Sequence, residues 1–482
     1  MEDIQFPSDF VCSTMWVKRG VAATNPQEIL LKPADFENIV KQIQAFLYSD
    51  INTDNDSDKE IDSSREQSDI LRGFPASVSS GDEYNFTNYD NETGNVHCHI
   101  ANIASFDVNG KDPLITNDDD DDSDKEDDII KNDDNLFLIA QNSKDVATLE
   151  VHVYNEEEGS FYCHHELPIS SYPLCMEWLN YDPDDPKPGN LCAIGNMTPI
   201  IEVWDLDLLN SVEPAYKLGC KSNKKKGQKR VGHKNGVLDL AWNQNYTHIL
   251  ASGSADKTIL LWDLENCKPV TKLDSFRKEV ASLKWHPQET HRLLTGCLDK
   301  TIRLFDCKEE TVVKSWDVQT AVEKVLWNQY NTNYCIASLT EGHISYFDVR
   351  ADKAVWEIKP HNEDVSGLIL SASYPGLLVS SSDDGLIKVW DIINHEPTLV
   401  WEKEVPSYIV CIAANPDNGF IFGICRTKKP SGTHTEVLDF SVIPEVRDRF
   451  ADRVASHSPA GGFKQSETVN VIEKMEDMEI DE

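Results

Sequence analysis
An aromatic residue followed by aspartate recurs at Trp262, Phe305, Phe347 and Trp390, in steps of 43, 42 and 43 residues. A second aromatic series, Trp242, Trp285 and Trp327, keeps the same step and precedes the first by 20 residues each time. Two series locked in phase require a repeated structural unit, because independent elements have no reason to share one period. Within the unit, apolar runs alternate with tight polar turns. Residues 250–263, LASGSADKTILLWD, read as a strand, a turn and a second strand closed by Trp262-Asp263. Close copies lie at 293–306 and 377–391, with weaker ones at 336–348 and 191–205.

Four strands per unit of about 40–45 residues, closed by Trp-Asp, is the pattern of a WD-repeat propeller blade. The closing position is filled by Tyr154, Trp204, Trp262, Phe305, Phe347, Trp390 and Leu438, which predicts seven blades. The expected fold is all-β: a seven-bladed WD40 β-propeller over 135–444, with Trp16 in 1–22 marking the inner strand of the first blade. That blade is then split by an insertion, which is tolerable because loop-closure cost grows only slowly with length. A closed ring removes exposed sheet edges. A strand from one terminus, with 1–22 a candidate, is expected to complete the seventh blade.

Three segments fall outside the repeat. At 33–48, Phe36, Ile39, Val40, Ile43, Phe46 and Leu47 recur at helical spacing after Pro33, predicting an amphipathic helix that packs on its own domain or docks a partner. Residues 50–134 hold 25 acidic and 6 basic side chains, half of the chain's net charge of −38, and include NDDDDDSDKEDD at 117–128. Such a segment repels itself and buries too little apolar surface to offset its ordering entropy, so a disordered insert in the first blade is expected. Ser57 and Ser123, each in SDKE, fit an acidophilic kinase. Residues 445–482 are polar and predict a disordered tail.

Residues 221–230 carry six basic side chains in ten, Lys221, Lys224, Lys225, Lys226, Lys229 and Arg230. They read as a solvated loop, a nuclear-import signal or a contact to RNA phosphates. Without interleaved aromatics such a loop grips backbone rather than reading bases. The acidic insert would attract basic proteins such as ribosomal proteins or histones, in a salt-dependent way. The twelve cysteines show no CxxC pair and suit a reducing compartment. The opening MEDIQFPSDF is not a basic, apolar leader, and no apolar run reaches about 18 residues, so neither secretion nor a membrane span is expected.

One constellation imitates an active site. His233, Ser252, Asp256 and Trp262 are repeated at the same spacing as His361, Ser380, Asp384 and Trp390. In a blade this set forms a buried network, with the indole N–H as its last donor. Nucleophilic catalysis would need an exposed serine beside an oxyanion hole, and no GxSxG elbow is present. The fourth unit keeps Thr295 and Asp299 without the histidine, and the fifth lacks the aspartate, so both are expected to rely on packing. There is no P-loop, GxGxxG or HExxH motif. His97-Cys98-His99 and Cys163-His164-His165 are weak metal signals, so no cofactor, metal or small-molecule substrate is expected.

The segments MWVKRGVA at 15–22, LEVHVYN at 149–155, YPLCMEWLN at 172–180, GNMTPIIEVWDLDLL at 195–209 and VLDLAWN at 237–243 carry a resemblance beyond a generic WD repeat. With them the chain resembles the periodic tryptophan protein family of WD-repeat proteins, of the founding, ribosome-assembly type. The resemblance implies a non-catalytic scaffold in the nucleus and nucleolus, acting in large-subunit assembly and ribosomal RNA processing. Implied partners are ribosome-assembly factors, ribosomal proteins and pre-ribosomal RNA. A chromatin module that binds histones, including at ribosomal RNA genes, is the alternative.

Overall fold
The computed structural model describes residues 9–29, 129–143, 146–184, 187–222, 229–394, 396–428 and 432–453. The expected helix at 33–48, the acidic segment up to 128, residues 97–99, Ser57, Ser123, Lys224, Lys225, Lys226 and residues 454–482 lie outside them.

Seven sheets form the blades, six of four strands and one of three. The first blade takes Asp9–Val17 as its inner strand, followed outward by Asn135–Ser143, Val146–Asn155 and Ser160–Ile169. Inner strands touch in cyclic order: Asp9–Val17, Pro173–Leu179, Val237–Trp242, Val280–Trp285, Val322–Trp327, Gly367–Leu370, Tyr408–Ala414 and back to the first. The ring is therefore closed.

Burial is greatest in the second strand of a blade and falls toward the rim. Second strands such as Leu191–Asn196 and Leu377–Ser381 are buried at every residue, because neighbouring blades cover both faces. Outer strands such as Thr311–Asp317 are largely exposed. The core is correspondingly divided into seven apolar wedges, one between each pair of adjacent blades. Gly253 and Gly296 sit where the next blade approaches closely. A Cβ at Gly296 would stand 2.6 Å from Val322 Cγ1, and one at Gly253 would stand 3.0 Å from Val280 Cγ1.

Two members of the second aromatic series tie neighbouring blades together, while Trp242 Nε1 donates within its own blade to Thr247 O at 2.8 Å. Trp285 Nε1 donates to Ala241 O at 2.9 Å and Trp327 Nε1 to Lys284 O at 3.1 Å, each on the preceding inner strand. Trp16 Nε1 makes the equivalent bond to Ala413 O at 3.2 Å, across the junction of the first and seventh blades.

Two expectations are corrected, and a third falls partly outside the described residues. Among the described residues the seventh blade holds Tyr408–Ala414, Ile421–Lys428 and Gly432–Asp439, while Asp9–Val17 belongs to the first blade. The contacts that join these two blades include the Trp16 bond, Arg19 N and Asn135 Nδ2 donating to Asp417 Oδ2 at 2.9 and 2.8 Å, and Asn415 Nδ2 donating to Asn135 Oδ1 at 3.1 Å. Structure also resumes before 135: Ile130 is buried, and Asp134 accepts from Lys131 N and Asn155 Nδ2.

Nor does the tail begin at 445. Pro444–Phe450 is a helix with proline in its first turn and with Val446 and Phe450 buried beside Phe420, Phe422 and Phe440. Arg449 Nε donates to Asp391 Oδ2 at 2.6 Å, and Arg453 bonds both oxygens of that buried carboxylate at 2.7 Å. The segment reads as polar because its few apolar residues are spaced for one helical face.

Candidate functional site
In the third blade His233 precedes the inner strand, Ser252 lies on the second strand, Asp256 in the following turn and Trp262 on the third strand. His233 Nε2 is 2.7 Å from Ser252 Oγ, which accepts from Trp262 Nε1 at 2.8 Å. His233 Nδ1 contacts Asp256 Oδ2 at 3.1 Å, and Asp256 also accepts from Lys234 N, Thr258 N and Thr258 Oγ1. Desolvation alone would raise the Asp256 carboxyl. The bonds from His233, Thr258 and Lys234 outweigh it and hold the group well below the usual carboxylate range.

The sixth blade repeats the arrangement. His361 lies 2.9 Å from Ser380 Oγ and 3.2 Å from Asp384 Oδ2, and Trp390 Nε1 donates to Ser380 at 3.0 Å. Both serines are fully buried and engaged by the histidine and the indole, so neither can reach a substrate. These residues hold the turn that shapes the blade's rim.

Other blades solve the same problem differently. In the fourth, Phe276 takes the histidine's position and the Arg303 guanidinium reaches Asp299 Oδ2 at 3.0 Å while lying 4.9 Å over the Phe276 ring. The expectation of packing alone is thus corrected there: an ion pair replaces the imidazole bond. In the second blade Ile194 stands where the serine would be, and the buried Trp204 Nε1 has no hydrogen-bond partner.

Strand direction divides the connections between two faces. Links from a fourth strand to the next inner strand, and from a second strand to a third, open on the face carrying His233 and Asp256. The remaining links open on the opposite face. The basic loop belongs to the first face. Its base is pinned by the Cys220–Val231 bridge, with Lys221, Lys229 and Arg230 exposed. The links at either end of the acidic segment, between an inner and a second strand, lie on the other face. The chain leaves at Ile29, after Gln27–Glu28 pairs in parallel with Leu208–Leu209, and returns at Ile129.

The first face also bears a carboxylate group that the sequence reading missed. Glu363 and Asp364 precede the inner strand of the sixth blade, Asp383 lies in its next turn, and Glu323 starts the inner strand of the fifth. Partial desolvation, then the charges of Asp364, Glu363 and Asp384, push the Asp383 carboxyl up to about 6. Glu323 is raised by desolvation and then by Asp364. Superposing the repeats would have found three of the four, since Glu363, Asp364 and Asp383 flank His361 and Asp384. The face is therefore basic beside the second and third blades and acidic beside the fifth and sixth.

The WD domain, G-beta repeat family matches residues 225–263 and 352–391, and the E3 ubiquitin-protein ligase RFWD3 WD40 domain family matches 272–370. The chain is similar to the periodic tryptophan protein 1 homolog of Drosophila melanogaster, 40% identical over 431 residues covering 88% of this chain and 93% of that protein. An uncharacterized WD repeat-containing protein of Schizosaccharomyces pombe is 34% identical, covering 92% of this chain and 91% of its own length. Periodic tryptophan protein 1 of Saccharomyces cerevisiae is 28% identical, covering 79% and 78%. A WD-repeat propeller is in general an interaction scaffold rather than a reaction centre, and no described helix is long and apolar enough to cross a membrane.

Proposed function
The chain belongs to the periodic tryptophan protein 1 family of WD-repeat proteins, and on that premise we propose that it is a non-catalytic scaffold in ribosome biogenesis, acting in large-subunit assembly and pre-ribosomal RNA processing. The observation that carries this reading is the attachment of two oppositely charged segments to opposite faces of one closed ring. The basic loop suits RNA phosphates, and the acidic segment suits ribosomal proteins or other basic assembly factors. A particle of RNA and basic protein offers both chemistries at once. The carboxylates at Glu323, Glu363, Asp364 and Asp383 add a second place for cationic side chains. Residence in the nucleus and nucleolus, and phosphorylation at Ser57 and Ser123, belong to the same reading.

The test is sedimentation combined with in-cell crosslinking. The scaffold should co-sediment with large-subunit precursors and crosslink to their RNA, and neutralising Lys224, Lys225 and Lys226 should reduce those crosslinks. Unchanged crosslinks would remove the basic loop from RNA contact, and none in the parent protein would end direct RNA binding. Association with nucleosomes that survives RNase would favour the chromatin reading, which the acidic segment also suits through histones. Turnover of any substrate abolished by Ser252→Ala would contradict the non-catalytic assignment.

A further inference from the structure
We propose that the first blade carries a binding site for a zinc-class divalent cation, built from Glu150, His152 and Cys163. The three come from the hairpin of Val146–Asn155 and Ser160–Ile169, whose register pairs His152 with Cys163 and shifts between Val151 and His152. Glu150, two residues before His152, shares its side of the sheet. One donor atom from each residue lies within 4.8 Å of the other two. The neighbouring Cys163-His164-His165 run is not itself the ligand set. His165 pairs with Val151 across the hairpin, and His164 Nδ1 lies 2.9 Å from His165 Nδ1.

Surrounding groups orient these donors. The His152 ring stacks on Phe161, with centroids 5.1 Å apart and planes at 22°. Its Nε2 lies 2.8 Å from Glu150 Oε2, while its buried Nδ1 has no hydrogen-bond partner. Gln141 Nε2 donates to the other Glu150 oxygen. Gln141 holds the carboxylate and Phe161 the imidazole plane from outside the set, and partners around a ligand set orient it in this way. Cys163 feels desolvation first and then Glu150 and Glu166, which together push its thiol up to about 11. A bound dication would reverse the effect of those carboxylates and favour the thiolate.

The donor types select the ion. Sulfur and imidazole nitrogen with one carboxylate suit zinc and its chemical neighbours, whereas calcium and magnesium take oxygen sets. Cys163 is exposed, so a tetrahedral ion held by three protein donors keeps its fourth position toward solvent. The position in the fold accounts for that exposure. This side of the first blade faces the seventh, where Phe137 and Ile139 pack with Ala413 and Cys425. The seventh blade has three strands among the described residues, and Cys163 lies on the fourth strand of the first.

The test titrates cobalt(II) into the metal-stripped, reduced full chain and reads the sulfur-to-cobalt charge-transfer band, with zinc as competitor. One equivalent should bind with a thiolate band that zinc abolishes. Cys163→Ser should lose the band, His152→Gln should weaken binding about tenfold or more, and Cys98→Ser should leave both unchanged. Cys163 is exposed, so Cys163→Ser should keep the parent's unfolding midpoint and separate ligand loss from misfolding. A band that survives Cys163→Ser, one that disappears in Cys98→Ser, or no band in the parent overturns the site.

Discussion

At the scale of single residues, one aromatic position carries different amounts of stability in different blades. Trp262 and Trp204 are equally buried, but only Trp262 has a hydrogen-bond acceptor. Replacing each by phenylalanine removes similar volume, so Trp262→Phe should cost about 1 kcal/mol more than Trp204→Phe in denaturant unfolding. Equal costs would show that the serine bond contributes nothing net. His233→Ala or Asp256→Ala leaves a buried partner unsatisfied and should lower stability by about 1–3 kcal/mol.

Asp383 makes a pH-dependent prediction. Its folded pKa of about 6 exceeds its ordinary value of 3.8, so the native state binds more protons in that window and stability falls as pH rises through it. Asp383→Asn should therefore stabilise the protein near neutral pH and match the parent near about pH 4. The gain should be no more than about 1 kcal/mol, because the side chain is exposed and its repulsions are screened. Unfolding midpoints at the two pH values read the difference. The histidine networks were legible from spacing alone, because their members share one repeat unit. Arg303 was not: its role depends on a ring at Phe276, which stands in the link between Lys268–Leu273 and Val280–Trp285 where the third and sixth blades carry histidine.

At the scale of elements, the helix Pro444–Phe450 determines where the folded chain stops. Phe450→Ala should cost about 3–5 kcal/mol by opening a cavity against Phe422 and Phe440. Arg453→Ala removes two of the three arginine bonds to buried Asp391 and should cost about 1–3 kcal/mol. Both losses are measurable by chemical denaturation. If neither variant changed the midpoint, the helix would be incidental to the ring. The strands around it were readable because their apolar residues alternate or run continuously between turns. The helix was not, since two buried residues in seven make a weak periodic signal.

At the scale of the whole molecule, the ring's continuity does not depend on the length of chain between Ile29 and Ile129. The contacts that bring those residues back together are Gln27–Glu28 on Leu208–Leu209 and Ile130 N on Thr24 O. Replacing residues 50–126 with a short glycine-serine linker should leave the unfolding midpoint unchanged or raise it slightly, since shortening a loop by severalfold recovers about 1–2 kcal/mol at most. A collapse of the midpoint would show that the segment helps hold the ring.

The repeat period, the blade count and the split of the first blade were set by the sequence itself, because each blade is a local meander whose turns and apolar runs recur in order along the chain. How the ring closes, the face from which each charged segment departs, and the meeting of Glu150, His152 and Cys163 were decided only in three dimensions. Those outcomes depend on strand direction, on a one-residue shift in pairing, and on contacts such as Trp16 with Ala413 between residues far apart in the chain. Linear spacing carries no signal of such contacts.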